Sequence, residues 1–251
     1  MKLPLILALL LDFPEIHNLL DILHLLGAGV CGQVPSHSFF VGGRQLPLCA
    51  RCTGIYLGFL LGLVAMAVAG RRRASHLPPT RVLALLAGFV ALMGADGLNS
   101  YLDLLGLPHL YEPHNALRLT AGVLCGLALS AIIYPIFNLT LWKAADSERA
   151  IRNCRELGLL LASAAPLIWI VQAGVTPLLY PIAISSILGV LAALTMVNAV
   201  LVLILTRRQG MATSWRHALP PLGLGLMAAL FELGVMSALH RALLRALASA
   251  F

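Results

Sequence analysis

Residues 49–73 read CARCTGIYLGFLLGLVAMAVAGRRR, and this stretch decides the fold. After Cys52 it carries no charge until Arg71, Arg72 and Arg73 close it. An apolar run of this length, as a helix rising about 1.5 Å per residue, crosses a hydrocarbon core about 30 Å thick. Gly54, Gly58 and Gly62 recur every fourth residue and line one helix face. Small residues at that spacing let two helices approach closely in lipid. The triple arginine marks the cytoplasmic end of the span.

Working outward, the same pattern repeats. The chain of 251 residues is 60% hydrophobic and only 11% charged, with mean hydropathy +0.92. A soluble domain would be about one quarter charged, so the composition indicates a polytopic membrane protein. The net charge of +7 does not indicate nucleic acid, because the basic residues lie in short loops beside apolar spans. Residues 3–11 resemble the apolar part of a signal peptide, but no small-residue cleavage pattern follows, and retention is expected. That segment joins an amphipathic helix over residues 16–30 as a first, kinked span. Further spans are expected over residues 52–70, 81–98, 115–137, 157–173, 178–206 and 217–240. The expectation is one all-α integral membrane domain over residues 1–251: a transmembrane helix bundle of about seven spans. Arginine and lysine concentrate after the second, fourth and sixth spans, which places the N-terminus in the cytoplasm and the Cys31–Cys49 loop outside.

That loop holds the first chemistry. Cys49 and Cys52 form a C-x-x-C pair at a helix mouth, where free N–H groups favour a thiolate. With Cys31 and His37 they compose a set of three thiolates and one imidazole suited to zinc. A structural disulfide and thiol exchange with a partner are the other two readings. Cys125 lies mid-span and Cys154 on the cytoplasmic side, away from this group.

The second chemistry is intramembrane charge. Asp96 and Asn99 share a face at the outer end of the third span, and Asn115 and Arg118 share one at the outer start of the fourth. Charges at such depth are paired or face a cavity. Asp96 and Arg118 are expected to pair, with Asp96 a candidate general base and Arg118 a candidate anion binder. If Gly54, Gly58 and Gly62 pack against Gly122 and Gly126, Cys52 and Arg118 meet at the outer rim. Glu232 lies within the last span. His17, Asp21 and His24 fall one helical turn apart; a polar stripe explains them better than a metal site. Nucleotide-loop, zincin and serine-hydrolase signatures are absent from the sequence.

Cys31-Gly32-Gln33, His37-Ser38-Phe39, Gly43, Pro47 and the run Cys49 to Gly58 resemble an uncharacterised bacterial and archaeal membrane-protein family, domain of unknown function 2085. Asp96-Gly97, Asn115 to Arg118, Gly122 and Gly126 look like its second block, so the resemblance covers roughly residues 28–130. The family pattern has histidine where this chain has Gly32, so a shared ligand set would need His37. The resemblance implies which residues act together, and no activity. The residues support a membrane-embedded metal- or thiol-dependent enzyme acting on a lipid-soluble or extracytoplasmic substrate. A transporter or small-molecule-binding protein with a disulfide-braced loop is the alternative. A prokaryotic cytoplasmic membrane is the expected location.

Overall fold

The computed structural model describes residues 17–248. Seven α-helices follow in order: α1 Leu19–Gly27, α2 Ala50–Val68, α3 Thr80–Leu104, α4 Asn115–Leu141, α5 Cys154–Ala173, α6 Leu179–Leu205 and α7 Trp215–Ala248. Six of them, α2 to α7, are long and apolar enough to cross a membrane. The N-terminal half of the expected first span, residues 3–16, lies outside the described residues. What is described of it is α1, whose 9 residues span too little to cross a bilayer alone. Asn18 and Asp21 cap α1 reciprocally: Asp21 N donates to Asn18 Oδ1 at 3.3 Å and Asn18 N donates to Asp21 Oδ2 at 3.0 Å. His24 Nδ1 lies 2.8 Å from Leu20 O. The polar stripe is therefore a helix cap, and Leu20 and Leu23 of the same helix are buried.

The glycine seam forms as its spacing predicts. A Cβ placed on Gly54 would lie 2.3 Å from Leu119 O, on Gly58 2.4 Å from Val123 O, and on Gly122 2.2 Å from Arg51 O. A Cβ on Gly126 would meet Ile55 O at 2.0 Å. Backbone touches backbone along this seam, so α2 and α4 form the centre of the bundle. Helix α6 joins through Gly189, whose Cβ would lie 2.4 Å from Tyr56 O, and α7 rests on α6 through Gly225 against Thr195 O at 2.6 Å. Large apolar side chains such as Val68, Leu139 and Phe231 face outward, as a lipid-facing surface requires.

The connections gather at two ends. At the cysteine end, β1 Phe40–Val41 and β2 Arg44–Gln45 form a hairpin. Its turn is Gly42-Gly43, at φ 59° and 76°, a left-handed pair that glycine adopts without strain. At the basic end, β3 Ala74–His76 pairs in parallel with β4 Asp146–Arg149. There Arg71 grips Glu156 with two hydrogen bonds of 2.7 and 2.5 Å, and also donates to Ala150 O at 2.9 Å. The Glu156 carboxylate raises the Arg71 pKa above its ordinary value. Arg73 stacks on Trp142 at 4.3 Å, and Trp142 meets Trp215 edge-on at 5.0 Å. The three arginine-bearing connections thus interlock.

Candidate functional site

The segment before α2 is shaped around Cys31. Gln33 adopts φ 50°, in the left-handed region unusual for a side chain with a Cβ. This turns its N–H onto Cys31 Sγ at 3.4 Å, and Cys49 N donates to the same sulfur at 3.2 Å. The Gln33 amide Nε2 donates to His24 O at 2.8 Å and Pro47 O at 2.7 Å, fixing the loop between α1 and α2. Cys49 is the N-cap of α2, and Cys52 lies in the first turn. The Sγ atoms of Cys31, Cys49 and Cys52 consequently all lie within 4.8 Å of one another. Each is a free thiol. Hydrogen bonding from Cys31 and then Cys52 holds Cys49 far below the usual thiol pKa, while the shared hydrogen bond with Cys49 raises Cys31.

His37 does not join the sulfurs; among the described residues, the grouped donors here are the three cysteines alone. It ends a 3₁₀ turn, Pro35–His37, and is half-buried. Burial first, and the Arg118 charge next, lower its pKa from the ordinary 6.5.

The polar cluster assembles differently from the expected Asp96–Arg118 pair. Arg51, between the two cysteines of the C-x-x-C, reaches Asp96 instead: its Nε donates to Oδ2 at 3.0 Å and its Nη2 at 2.5 Å. Tyr111 Oη donates to the other carboxylate oxygen at 2.8 Å. Arg51 Nη2 also lies 3.0 Å from Ser100 Oγ, and Arg118 Nε reaches that same hydroxyl at 3.3 Å. Ser100 therefore joins the two guanidiniums. Arg118 Nη1 donates to Asn115 Oδ1 at 2.9 Å, and Asn115 Nδ2 donates to Ser38 O at 3.2 Å. Asn99 clamps the loop after α3, accepting from Leu110 N at 2.7 Å and donating to Tyr111 O at 2.8 Å. That clamp delivers Tyr111 to Asp96. Burial and then the Asp96 carboxylate raise the Tyr111 pKa.

Both carboxylate oxygens of Asp96 are engaged, Oδ2 by Arg51 and Oδ1 by Tyr111. Asp96 is 3% exposed and Arg118 4% exposed. Asp96 pairs with Arg51 alone, and Arg118, joined to that pair through Ser100, leaves the cluster with one surplus positive charge. Glu232 belongs elsewhere, accepting from Asn198 Nδ2 at 3.0 Å between α6 and α7. Asp103, His109 and Glu112 form a separate group; Glu112 is well exposed.

Sequence reasoning gave no site role to Arg51, Ser100, Tyr111 or Gln33, of which Arg51 and Gln33 entered only as part of the family-like pattern. Two of them carry a signal. Arg44 and Arg51 are the only lysine or arginine residues in the connections after the first, third and fifth expected spans, and a charge so placed needs a partner; Ser100 follows Asp96 by four residues on one face. Tyr111 arrives through a loop, where no periodicity announces it.

The chain matches the family profile described as "Predicted membrane protein (DUF2085)" over residues 31–132. It is 32% identical over 116 residues to the uncharacterized protein MJ1492 of Methanocaldococcus jannaschii, covering 45% of this chain and 67% of that one. It is 31% identical over 113 residues to an uncharacterized protein of Methanothermobacter thermautotrophicus, covering 45% of this chain and 91% of that one. No solved structure matches. The matched stretch contains Cys31, Cys49, Cys52, Arg51, Asp96 and Arg118 together.

Proposed function

The chain belongs to this DUF2085 family of predicted membrane proteins, and on that premise we propose that its cysteine end is a metal centre of a membrane-embedded enzyme, facing outward. The observation that carries the reading is the convergence of the Cys31, Cys49 and Cys52 sulfurs within 4.8 Å, two backbone N–H groups already aimed at one of them. Hydrogen bonds to a sulfur favour its thiolate, the form that binds metal. Three thiolates suit zinc and leave a fourth position open, as catalytic zinc sites do. When bound, the metal would polarise a polar group of a lipid-soluble or extracytoplasmic substrate entering that position.

Charge supports the same assignment. A divalent cation on three thiolates carries one net negative charge, and the Arg51–Asp96–Arg118 cluster carries one net positive charge. The two cancel. A disulfide would remove the nearby thiolate charge from Arg118, whose hydrogen-bond partners, Ser100 and Asn115, are neutral. In this reading Asp96 orients Arg51, Tyr111 holds Asp96, Asn99 fixes the loop that carries Tyr111, and Asn115 orients Arg118. Arg118 is the counter-charge that stabilises negative charge developing in the reaction. The arginine-rich end faces the cytoplasm by the positive-inside rule.

Elemental analysis of the purified protein should find one zinc per chain, and Cys31→Ser, Cys49→Ser or Cys52→Ser should each remove it. In the native protein, Cys49 and Cys52 should resist alkylation until a strong chelator is added. Prompt labelling of both thiols without chelator would overturn the metal centre. Release of the thiols by reductant alone would establish a disulfide instead.

A further inference from the structure

We infer that the basic end carries a pocket for the phosphate headgroup of an anionic lipid. A cavity of about 440 Å³ lies where the C-terminal ends of α4 and α6 meet the first turns of α7. Leu141, Leu203 and Met211 contribute apolar walls; Arg208, Arg216 and His217 contribute the charged and polar ones. Apolar walls beside guanidiniums fit one molecule with an apolar tail and a negative head. A free phosphate would have no use for the leucines and methionine.

What sets these two arginines apart is that both line one cavity without an ion-pair partner among the described residues, whereas other arginines at this end are committed within the fold. Arg71 is bound to Glu156, Arg152 to Glu148, and Arg73 covers Trp142. Arg208 and Arg216 have no carboxylate within ion-pair distance among the described residues. The connection 206–214 that carries Arg208 holds no Asp or Glu. A general inward bias of positive charge sets topology, but it does not require two unpartnered guanidiniums on the wall of one cavity. The level is also that of headgroups: Trp215, largely exposed beside Arg216, is the residue type enriched at membrane interfaces. Guanidinium is the group best matched to phosphate oxygens, and basic pockets between spans bind such heads.

The test uses the full chain in nanodiscs of phosphatidylcholine, with or without phosphatidylglycerol, at fixed ionic strength. The anionic lipid should raise the Tm. The double variant Arg208→Gln/Arg216→Gln should lose most of that rise while keeping its Tm in phosphatidylcholine alone, since neither side chain has a carboxylate partner to lose. Arg155→Gln removes an exposed arginine at the same end, outside the pocket, and should keep the rise. Inorganic phosphate added to phosphatidylcholine nanodiscs should do little. Native mass spectrometry should retain one anionic lipid on the parent chain and none on the double variant. An equal loss in Arg155→Gln would reduce the effect to diffuse surface charge and overturn the pocket. A full rise with free phosphate would reassign it to a soluble anion, and no lipid dependence would dismiss it.

Discussion

Arg51 and Arg118 both reach the Ser100 hydroxyl, yet only Arg51 bonds the Asp96 carboxylate. The two arginines should therefore behave differently when removed. Arg51→Gln strips a 3%-exposed carboxylate of its charged partner, a change that commonly costs about 3–5 kcal/mol in a buried pair. Asp96→Asn in the same chain should recover part of the loss. A thermal double-mutant cycle should show strong coupling for Arg51 with Asp96 and weaker coupling for Arg118 with Asp96. Near-additivity for the first pair would contradict the observed bonding. His37 offers a pH readout at the same scale. Its folded pKa is depressed, so the neutral ring's contribution is complete above the unfolded value of 6.5 and fades as pH falls through the lower folded value. Tm should decline with acidification below about pH 6.5, and His37→Gln should flatten that part of the profile. The groups acting on the ring are Arg118, Arg51, Cys49 and Asp103.

Helix α2 is where local sequence and tertiary packing agree most closely. Its glycines leave no room for a side chain against α4, so Gly58→Ala forces a Cβ to within 2.4 Å of Val123 O unless the helices separate. Overpacking of this kind typically costs about 1–3 kcal/mol, readable as a lowered Tm. Gly88→Ala on α3, with nothing within 4 Å of the added atom, should be neutral or stabilising. This seam was legible in the sequence because spacing alone defines a helix face, and Gly54, Gly58 and Gly62 can serve few purposes other than close approach. The convergence of Cys31 on Cys49 and Cys52 was legible for a related reason, since a C-x-x-C fixes two of the three sulfurs on one turn. The partner of Asp96 was not. Arg118 and Arg51 both lie near the rim, and the choice between them depends on where Gly122 seats the Arg51 backbone and on a loop that brings Tyr111. The extent of α3, which runs to Leu104 rather than Leu98, was also hidden, because Asp96, Asn99 and Ser100 look like a helix end until their partners are seen.

For the whole molecule, the separation of ends governs what can be measured. Reporter fusions at Gln45, in the hairpin of the cysteine end, and at Ser147, in β4 of the basic end, should report opposite sides of the membrane. A common side for both would place the proposed metal centre on the wrong face. The family profile ends at residue 132, within α4, so the shared unit is the cysteine loop with α2, α3 and most of α4, while α5 to α7 complete this chain's bundle. The stacked pair Trp142 and Trp215 has a further use. The chain holds three tryptophans, and the third, Trp169, stands largely exposed one turn from the far end of α5. Trp169→Phe would leave a protein whose indole emission comes from the basic end alone. Such a protein is its own optical label: a lipid settling beside Trp215 should change the colour and lifetime of the light, while loading or stripping metal at the opposite end should leave them dark to the change.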